Sequence, residues 1–223
     1  MIFAQDSGPF FRWDWVFSHL DDIWERVVEH LVLTGIALGV GLAIAMVLSG
    51  IALRYRRSYG PITWATGAMY AVPSLALFAF LVPITGFTIL TAEIGLVSYT
   101  LLILIRNIVA GIDGVDPAVT EAAVGMGYGR SRLFLEIELP LALPVIVAGL
   151  RIAAVTTIGL VTVTALIGQG GLGFFILRGL NRFFSTEIVL GTALSVVLAV
   201  IVDVSLLATE RALTPWTRRR ASL

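Results

Sequence analysis

The chain has 223 residues, of which 58% are apolar and only 13% are charged, whereas an ordinary soluble domain carries roughly 25% charge. That composition excludes a water-soluble globule, and a net charge of zero gives no electrostatic case for nucleic acid as a partner. Lys and Cys are both absent, which excludes a P-loop lysine, Schiff-base chemistry, disulfides and thiolate sites. His19 and His30 alone leave little from which to build a metal cluster or a Ser-His-Asp triad.

A bilayer core about 30 Å thick asks for roughly 20 apolar residues at 1.5 Å rise each. Residues 1–30 lack the basic region, apolar core and cleavage site of a secretory signal peptide. Within them Val16, Leu20, Ile23, Trp24, Val27 and Leu31 share one helical face, opposite Asp21, Asp22, Glu25 and Glu29. This pattern predicts an amphipathic helix at the outer interface; the alternative is a helical extension of the first span into water. Leu31 to Leu53 is free of charge and forms span one, and Ile62 to Val82 forms span two. After the turn signal at residues 83–86, span three runs from Thr91 to Ala110, interrupted by Glu93, Arg106 and Asn107. Span four lies within Leu141 to Ile167 and span five is Ile188 to Leu207. The expected layout is an outer segment 1–30, a five-helix membrane domain 31–207 that includes a loop at 111–140, and a tail 208–223.

Arginine sets the orientation, because cytoplasmic loops carry the excess of basic residues. Arg54, Arg56, Arg57, Arg130, Arg132, Arg211, Arg218, Arg219 and Arg220 fall on one side of the five spans, against Arg12, Arg26, Arg178 and Arg182 on the other. The N-terminus is therefore expected outside and the C-terminus in the cytoplasm.

The loop of residues 111–140 is long for a connection. Asp116-Pro117 supplies an N-cap and a proline at the first helical position, so residues 118–125 read as a short helix. Gly125, Gly127 and Gly129 break it, and Ser131 opens a second helix that Pro140 is expected to close. Two short helices with a glycine elbow, exposed on the cytoplasmic side, suit the docking of a soluble partner.

Glu121, Ala122 and Ala123, then Gly127, then Ile137, Leu139 and Pro140 resemble at each fixed position the EAA loop of the membrane subunits of ABC importers. Three further segments resemble the branch that takes up osmoprotectants such as glycine betaine, carnitine and choline: Pro73-Ser74-Leu75-Ala76-Leu77, residues 111–117, and residues 168–173. The resemblance covers about residues 31–207. It implies an all-α integral membrane protein with the type I ABC importer (MetI-like) permease fold and five transmembrane helices, in the plasma membrane of a prokaryote. It also implies a second permease chain, identical or homologous, two ATPase subunits and a separate extracytoplasmic substrate-binding protein. ATP and Mg would sit on the partner ATPase, with no cofactor on this chain. The EAA loop would be the coupling helix that docks in the ATPase. The residue types agree: Glu121 offers a carboxylate, Ala122 and Ala123 permit close approach, and Gly127 frees the backbone to turn. The alternative for Glu121 is that it caps or solvates its own helix.

Other residues admit two roles. Gly168 to Gly173 superficially resembles a phosphate loop, yet it follows a membrane helix and no strand, so Gly170 and Gly171 read as a close-packed turn near an outer gate. Arg151 lies about 25 Å of helix from Gly168, near the inner interface, where it can snorkel. Asp203 either forms a structural pair, for which Arg106 is the expected partner, or lines the pathway; Glu93 has the same ambiguity. Trp64, Tyr70 and Tyr99 suit either cation-π contact with a quaternary ammonium or a place in an interfacial belt or in helix packing. Pro73 and Ser74 join Tyr70, Asp203, Gly170 and Gly171 as possible pathway or gate residues.

Two rival functions differ in what they need. An ion-coupled secondary transporter for a small solute usually shows internal repeats and charged or unwound helices at the midplane, and neither is evident in the sequence. An intramembrane enzyme needs a nucleophile with a base or a metal set, which the Cys and His counts do not supply.

Overall fold

The computed structural model describes residues 9–216, and every regular element in that range is helical. The basic cluster Arg218, Arg219 and Arg220 lies outside the described residues. Helices α1 (Trp13–Ser18), α2 (Leu20–Arg54), α3 (Tyr59–Ala71), α4 (Ser74–Thr85) and α5 (Ile89–Asp113) occupy the N-terminal half. Helices α6 (Pro117–Gly125), α7 (Arg130–Leu133), α8 (Leu139–Val163), α9 (Gly173–Arg182) and α10 (Ser185–Leu213) make up the rest. Among the described residues four helices are long and apolar enough to cross a membrane, and five spans result if α3 and α4 are one broken crossing.

Three features differ from the sequence expectation. The chain does not turn after residue 30, because α2 runs unbroken for 35 residues, about 52 Å of helix and well beyond the hydrocarbon thickness. No Gly or Pro interrupts it before Gly35. The early apolar stripe is partly spent on protein: Val16 of α1 and Ile23 of α2 are buried with Leu172, Phe175, Leu190 and Leu198. The second span is broken at Val72-Pro73, where Pro73 (φ −57°, ψ 134°) stands at the head of α4 and disfavours helix at the residue before it. Finally, Pro140 does not close a helix. The helix runs on from Arg130 to Ile167 through a π-helical segment, Phe134–Glu138. Proline lacks an N–H and clashes with the carbonyl four residues back, and the wider π turn just ahead of Pro140 accommodates both defects.

The chain divides into two compact units, to both of which α2, α5, α8 and α10 contribute. The first comprises Met1–Ala37, Val72–Val97 and Thr156–Val200. Its core includes Leu33, Ala37, Phe78, Leu96, Val161 and Ile167. α8 ends there in a 3-10 turn, Thr164–Ile167, and the chain reverses through Gly168 (φ 75°) and Gly171 (φ 42°). A Cβ on Gly171 would lie 2.7–2.8 Å from the backbone and Cβ of His30, while Gly170 and Gly173 press on the backbone of Ala165 and Thr162. The fully buried His30 ring donates from Nε2 to the Ile158 carbonyl at 3.0 Å, and its Nδ1 accepts from the Leu172 N–H at 3.3 Å. Arg178 and the buried Glu187 pair at 2.8 Å, closing α9 against the start of α10.

The second unit comprises Leu38–Ala71, Ser98–Val155 and Ile201–Leu223. Arg56 grips Asp113 with two bonds of 2.7 and 2.6 Å, tying the chain after α2 to the end of α5. Arg151 of α8 binds both oxygens of Asp203 of α10 at 2.8 and 2.9 Å and reaches Glu210 at 3.7 Å. The partner of Asp203 is thus Arg151 and not Arg106, which is exposed and makes no ion pair among the described residues. Arg151 does not merely snorkel, since a carboxylate within an apolar helix is best placed beside a guanidinium on its neighbour.

Gly173→Ala is expected to lower stability by about 1–3 kcal/mol, because its Cβ has no room beside the Thr162 carbonyl. Gly35→Ala, where nothing lies within 4 Å, should change little. Thermal unfolding of the two variants in the same detergent checks the contrast.

Candidate functional site

The loop between α5 and α8 is built on a capped helix. Asp116 accepts from the Ala118 N–H at 2.9 Å, satisfying one of the free amides of the first turn, and Pro117 takes the position where no N–H is needed. α6 then packs on α7 and on the π segment. Ala123 is buried against this support, whereas Glu121 and Ala122 face outward. The Glu121 carboxylate makes no ion pair among the described residues, so its own helix does not use it up.

Gly127 carries φ +86° with open space where a side chain would be, a conformation that disfavours other L residues. The end of α6 is closed around it. Met126 N–H bonds to Ala122 O at 3.0 Å, Gly127 N–H to Val124 O at 2.9 Å, and Tyr128 N–H to Ala123 O at 3.1 Å. The Tyr128 ring receives the Arg132 guanidinium 4.3 Å from its centroid, and Arg132 also binds both oxygens of Glu136 at 3.0 Å. The elbow is therefore a fixed shape rather than a slack connection. Gly111, at the loop's base, lies so close to Ala142 and Val145 that α5 and α8 meet almost backbone to backbone.

The seven motif positions all belong to the second unit and divide by role. Glu121, Ala122 and Gly127 are exposed, while Ile137, Leu139 and Pro140 are half-buried and Ala123 is buried. Three apolar side chains that the motif does not include, Val119 and Val124 of α6 and Met126 just after it, are exposed on the same element as Glu121. An apolar side chain off the buried face of a short helix outside the spans is the signal by which a sequence can disclose them. The result is a small exposed element that carries one carboxylate and several apolar side chains, suited to a groove on another protein.

The possible pathway residues are not gathered in this way. Pro73, Ser74, Gly170 and Gly171 belong to the first unit, and Tyr70 and Asp203 to the second. Tyr70 stands edge-to-face with the buried Tyr99 at 5.8 Å, Trp64 is exposed, and Asp203 is engaged by Arg151. Among the described residues no group of three acidic or imidazole side chains is placed to hold a metal.

Residues 35–219 match the family described as "binding-protein-dependent transport system inner membrane component", and the chain belongs to that family. Its members are membrane permeases that work with a substrate-binding protein and an ATPase. Among the similar proteins is the choline transport system permease protein OpuBB of Bacillus subtilis, 36% identical over 87% of this chain and 90% of its own length. The carnitine transport permease protein OpuCB of Listeria monocytogenes is 36% identical over 86% of this chain and 88% of its own. The osmoprotectant import permease protein OsmW of Salmonella typhimurium is 31% identical over 84% and 89%. In architecture the chain is similar to a subunit of the MetNI methionine ABC transporter in an inward-facing conformation, with a TM-score of 0.72 over 92% of this chain and all of that one, at 18% identity. The fold is thus the type I ABC importer permease fold.

One buried acid has no partner. Glu93 of α5 is 9% exposed, and neither of its carboxylate oxygens meets a hydrogen-bond donor among the described residues. Burying an unsatisfied polar group costs about 1–3 kcal/mol. Glu93→Leu is therefore expected to raise the stability of the isolated chain by an amount of that order, read as a higher unfolding midpoint in detergent; an unchanged or lower midpoint contradicts it.

Proposed function

We propose that this chain is the permease subunit of an ATP-driven importer for small methylated amines of the glycine betaine, carnitine and choline class. Two such chains, identical or homologous, enclose the pathway. Two ATPase subunits dock beneath, and an extracytoplasmic binding protein delivers the solute. ATP and Mg are held by the ATPase, with no cofactor on this chain. The substrate class rests on relatives whose names specify choline, carnitine and osmoprotectants. It also rests on the scarcity of fixed charge in the spans, where Arg151 and Asp203 neutralise each other. A polyanion or a metal ion would need dense compensation in so apolar a medium, whereas a compact solute of low net charge does not.

The observation that carries the assignment of a coupling role is the outward-facing Glu121 beside the fixed Gly127 elbow. In this reading the α6 surface sits in a groove of the ATPase, and closure of the ATPase dimer moves α8 through α7. Glu121→Arg, which reverses an exposed charge and disturbs no core, should leave the chain inserted and the complex purifiable. Uptake of glycine betaine, carnitine or choline, and ATP hydrolysis stimulated by the loaded binding protein, should fall at least about tenfold, the loss of one charge-assisted contact. Full transport by a normally expressed variant would remove the coupling role. Uptake of an amino acid, metal ion or sugar by the wild-type assembly, with no response to any methylated amine, would overturn the substrate class alone.

The arginine distribution supports an N-terminus outside and the α6 loop in the cytoplasm. A cysteine at Asn181, which is exposed at the end of α9, should react with an impermeant maleimide in intact cells, and one at Met126 only after permeabilisation. The reverse pattern would invert the topology.

A further inference from the structure

The second unit contains a cavity of about 980 Å³ between the inner half of α2, the end of α5 and the α7–α8 segment. Its walls are mainly apolar, with Leu42, Met46, Leu53, Ile108, Ile112 and Phe134 among them. The polar lining is Arg54, Arg56, Arg130 and Ser131, with Glu138 the one acid. Arg56 is already engaged by Asp113. Arg54 lies over the ring of its neighbour Tyr55 at 5.6 Å, and neither Arg54 nor Arg130 has a carboxylate partner among the described residues.

One length and the level of the charges point to the occupant. Along α2 the lining runs from Arg54 back to Leu42, which at 1.5 Å per residue is about 18 Å, close to the depth of one bilayer leaflet. Arg54 ends the uncharged run of α2, so the guanidinium groups stand at the level of lipid headgroups while the rest of the cavity stands at the level of the chains. A soluble anion fits only the rim, and a soluble protein does not reach 18 Å into hydrocarbon. An amphiphile with an anionic head fits both parts, and guanidinium groups hold a phosphate through charge-assisted, often bidentate bonds. We propose that this cavity is a binding site for one anionic phospholipid, its phosphodiester held by Arg54 and Arg130 and an acyl chain laid along α2 from Leu53 to Leu42. The site is independent of the substrate assignment, and its charge requirement is separate from that of the α6 surface.

The test uses the assembled importer in detergent, titrated with phosphatidylglycerol, phosphatidylcholine and glycerol phosphate and read by native mass spectrometry. One phosphatidylglycerol per permease chain should bind about tenfold more tightly than phosphatidylcholine, and an Arg54→Gln, Arg130→Gln double variant should lose that preference. Gly50 supplies a second variant that leaves every charge in place: it lines the cavity with nothing within 4 Å of its Cβ position. Gly50→Phe should therefore fill the acyl groove and abolish the tight phosphatidylglycerol site. Equal binding of the two lipids, or undiminished phosphatidylglycerol binding in both variants, overturns the proposal. Competition by free glycerol phosphate would reduce the site to an anion site. Cross-links from a photoreactive residue at Met46 to the ATPase or to the second permease chain, with none to lipid, would assign the groove to protein instead.

Discussion

A single buried imidazole holds the reversal between α8 and α9. His30 projects from α2, donates to a carbonyl of α8 and accepts the N–H of Leu172 at the entry to α9. In hydrocarbon a backbone group freed by a helix break has no water to turn to, so a break inside the membrane domain needs a partner supplied by the protein. His30 serves with one nitrogen of each kind, which fixes the proton on Nε2. The glycines at 170, 171 and 173 are the other half of the arrangement. They allow the turn to come close enough to α2 and α8 for those bonds to form, with no Cβ between the backbones.

The same constraint accounts for the other irregularities. The break at Val72-Pro73 leaves fewer orphaned groups than a break elsewhere, since proline has no N–H to satisfy. The π turn before Pro140 keeps α7 and α8 in one helix where a proline would otherwise end it. Each irregularity sits beside a residue the sequence displays plainly, a proline or a cluster of glycines, but a sequence does not show whether such a residue ends a helix or merely widens it. Pro73 breaks one and Pro140 does not. The flanking turns make the difference: Pro140 follows a turn of its own helix that widens to π, whereas Pro73 meets a new N-terminus at Ser74.

Legibility in the sequence tracks the range of the interaction. The apolar runs are readable because a span is a local property of about 20 residues, and the motif around Glu121 and Gly127 because its spacing is fixed within one loop. The cap at Asp116 and the positive φ at Gly127 are equally local. Partners distant in the chain are not readable. Arg151 and Asp203 are 52 residues apart, and depth in the membrane alone does not distinguish Arg151 from Arg106 as the partner of the carboxylate. His30 and Leu172 are 142 apart, and nothing near His30 marks it as other than a residue early in a long helix. The continuity of α2 through residue 30 is hidden too, since an amphipathic face reads the same whether it meets headgroups or, as Val16 and Ile23 do, another helix.

The geometry of the second unit gives a mechanical reason for the coupling role proposed for α6. α6 rests on α7 and the π segment, and from Arg130 onward the chain is one helix of 38 residues, about 57 Å long. A displacement of α6 therefore enters the membrane domain through continuous helix rather than through a flexible linker. At Arg151 that helix is bonded to α10 by two short bonds and a longer ion pair, so it does not move alone. The π turn lies between the docking surface and this clamp. There the hydrogen-bond ladder departs from the α pattern, and irregularities of this kind are frequent at functional positions in helices. A rigid elbow at Gly127, a continuous helix and a side-chain clamp to its neighbour together form a contiguous physical route from a surface outside the membrane to two spans within it, which is what energy supplied from outside the membrane requires.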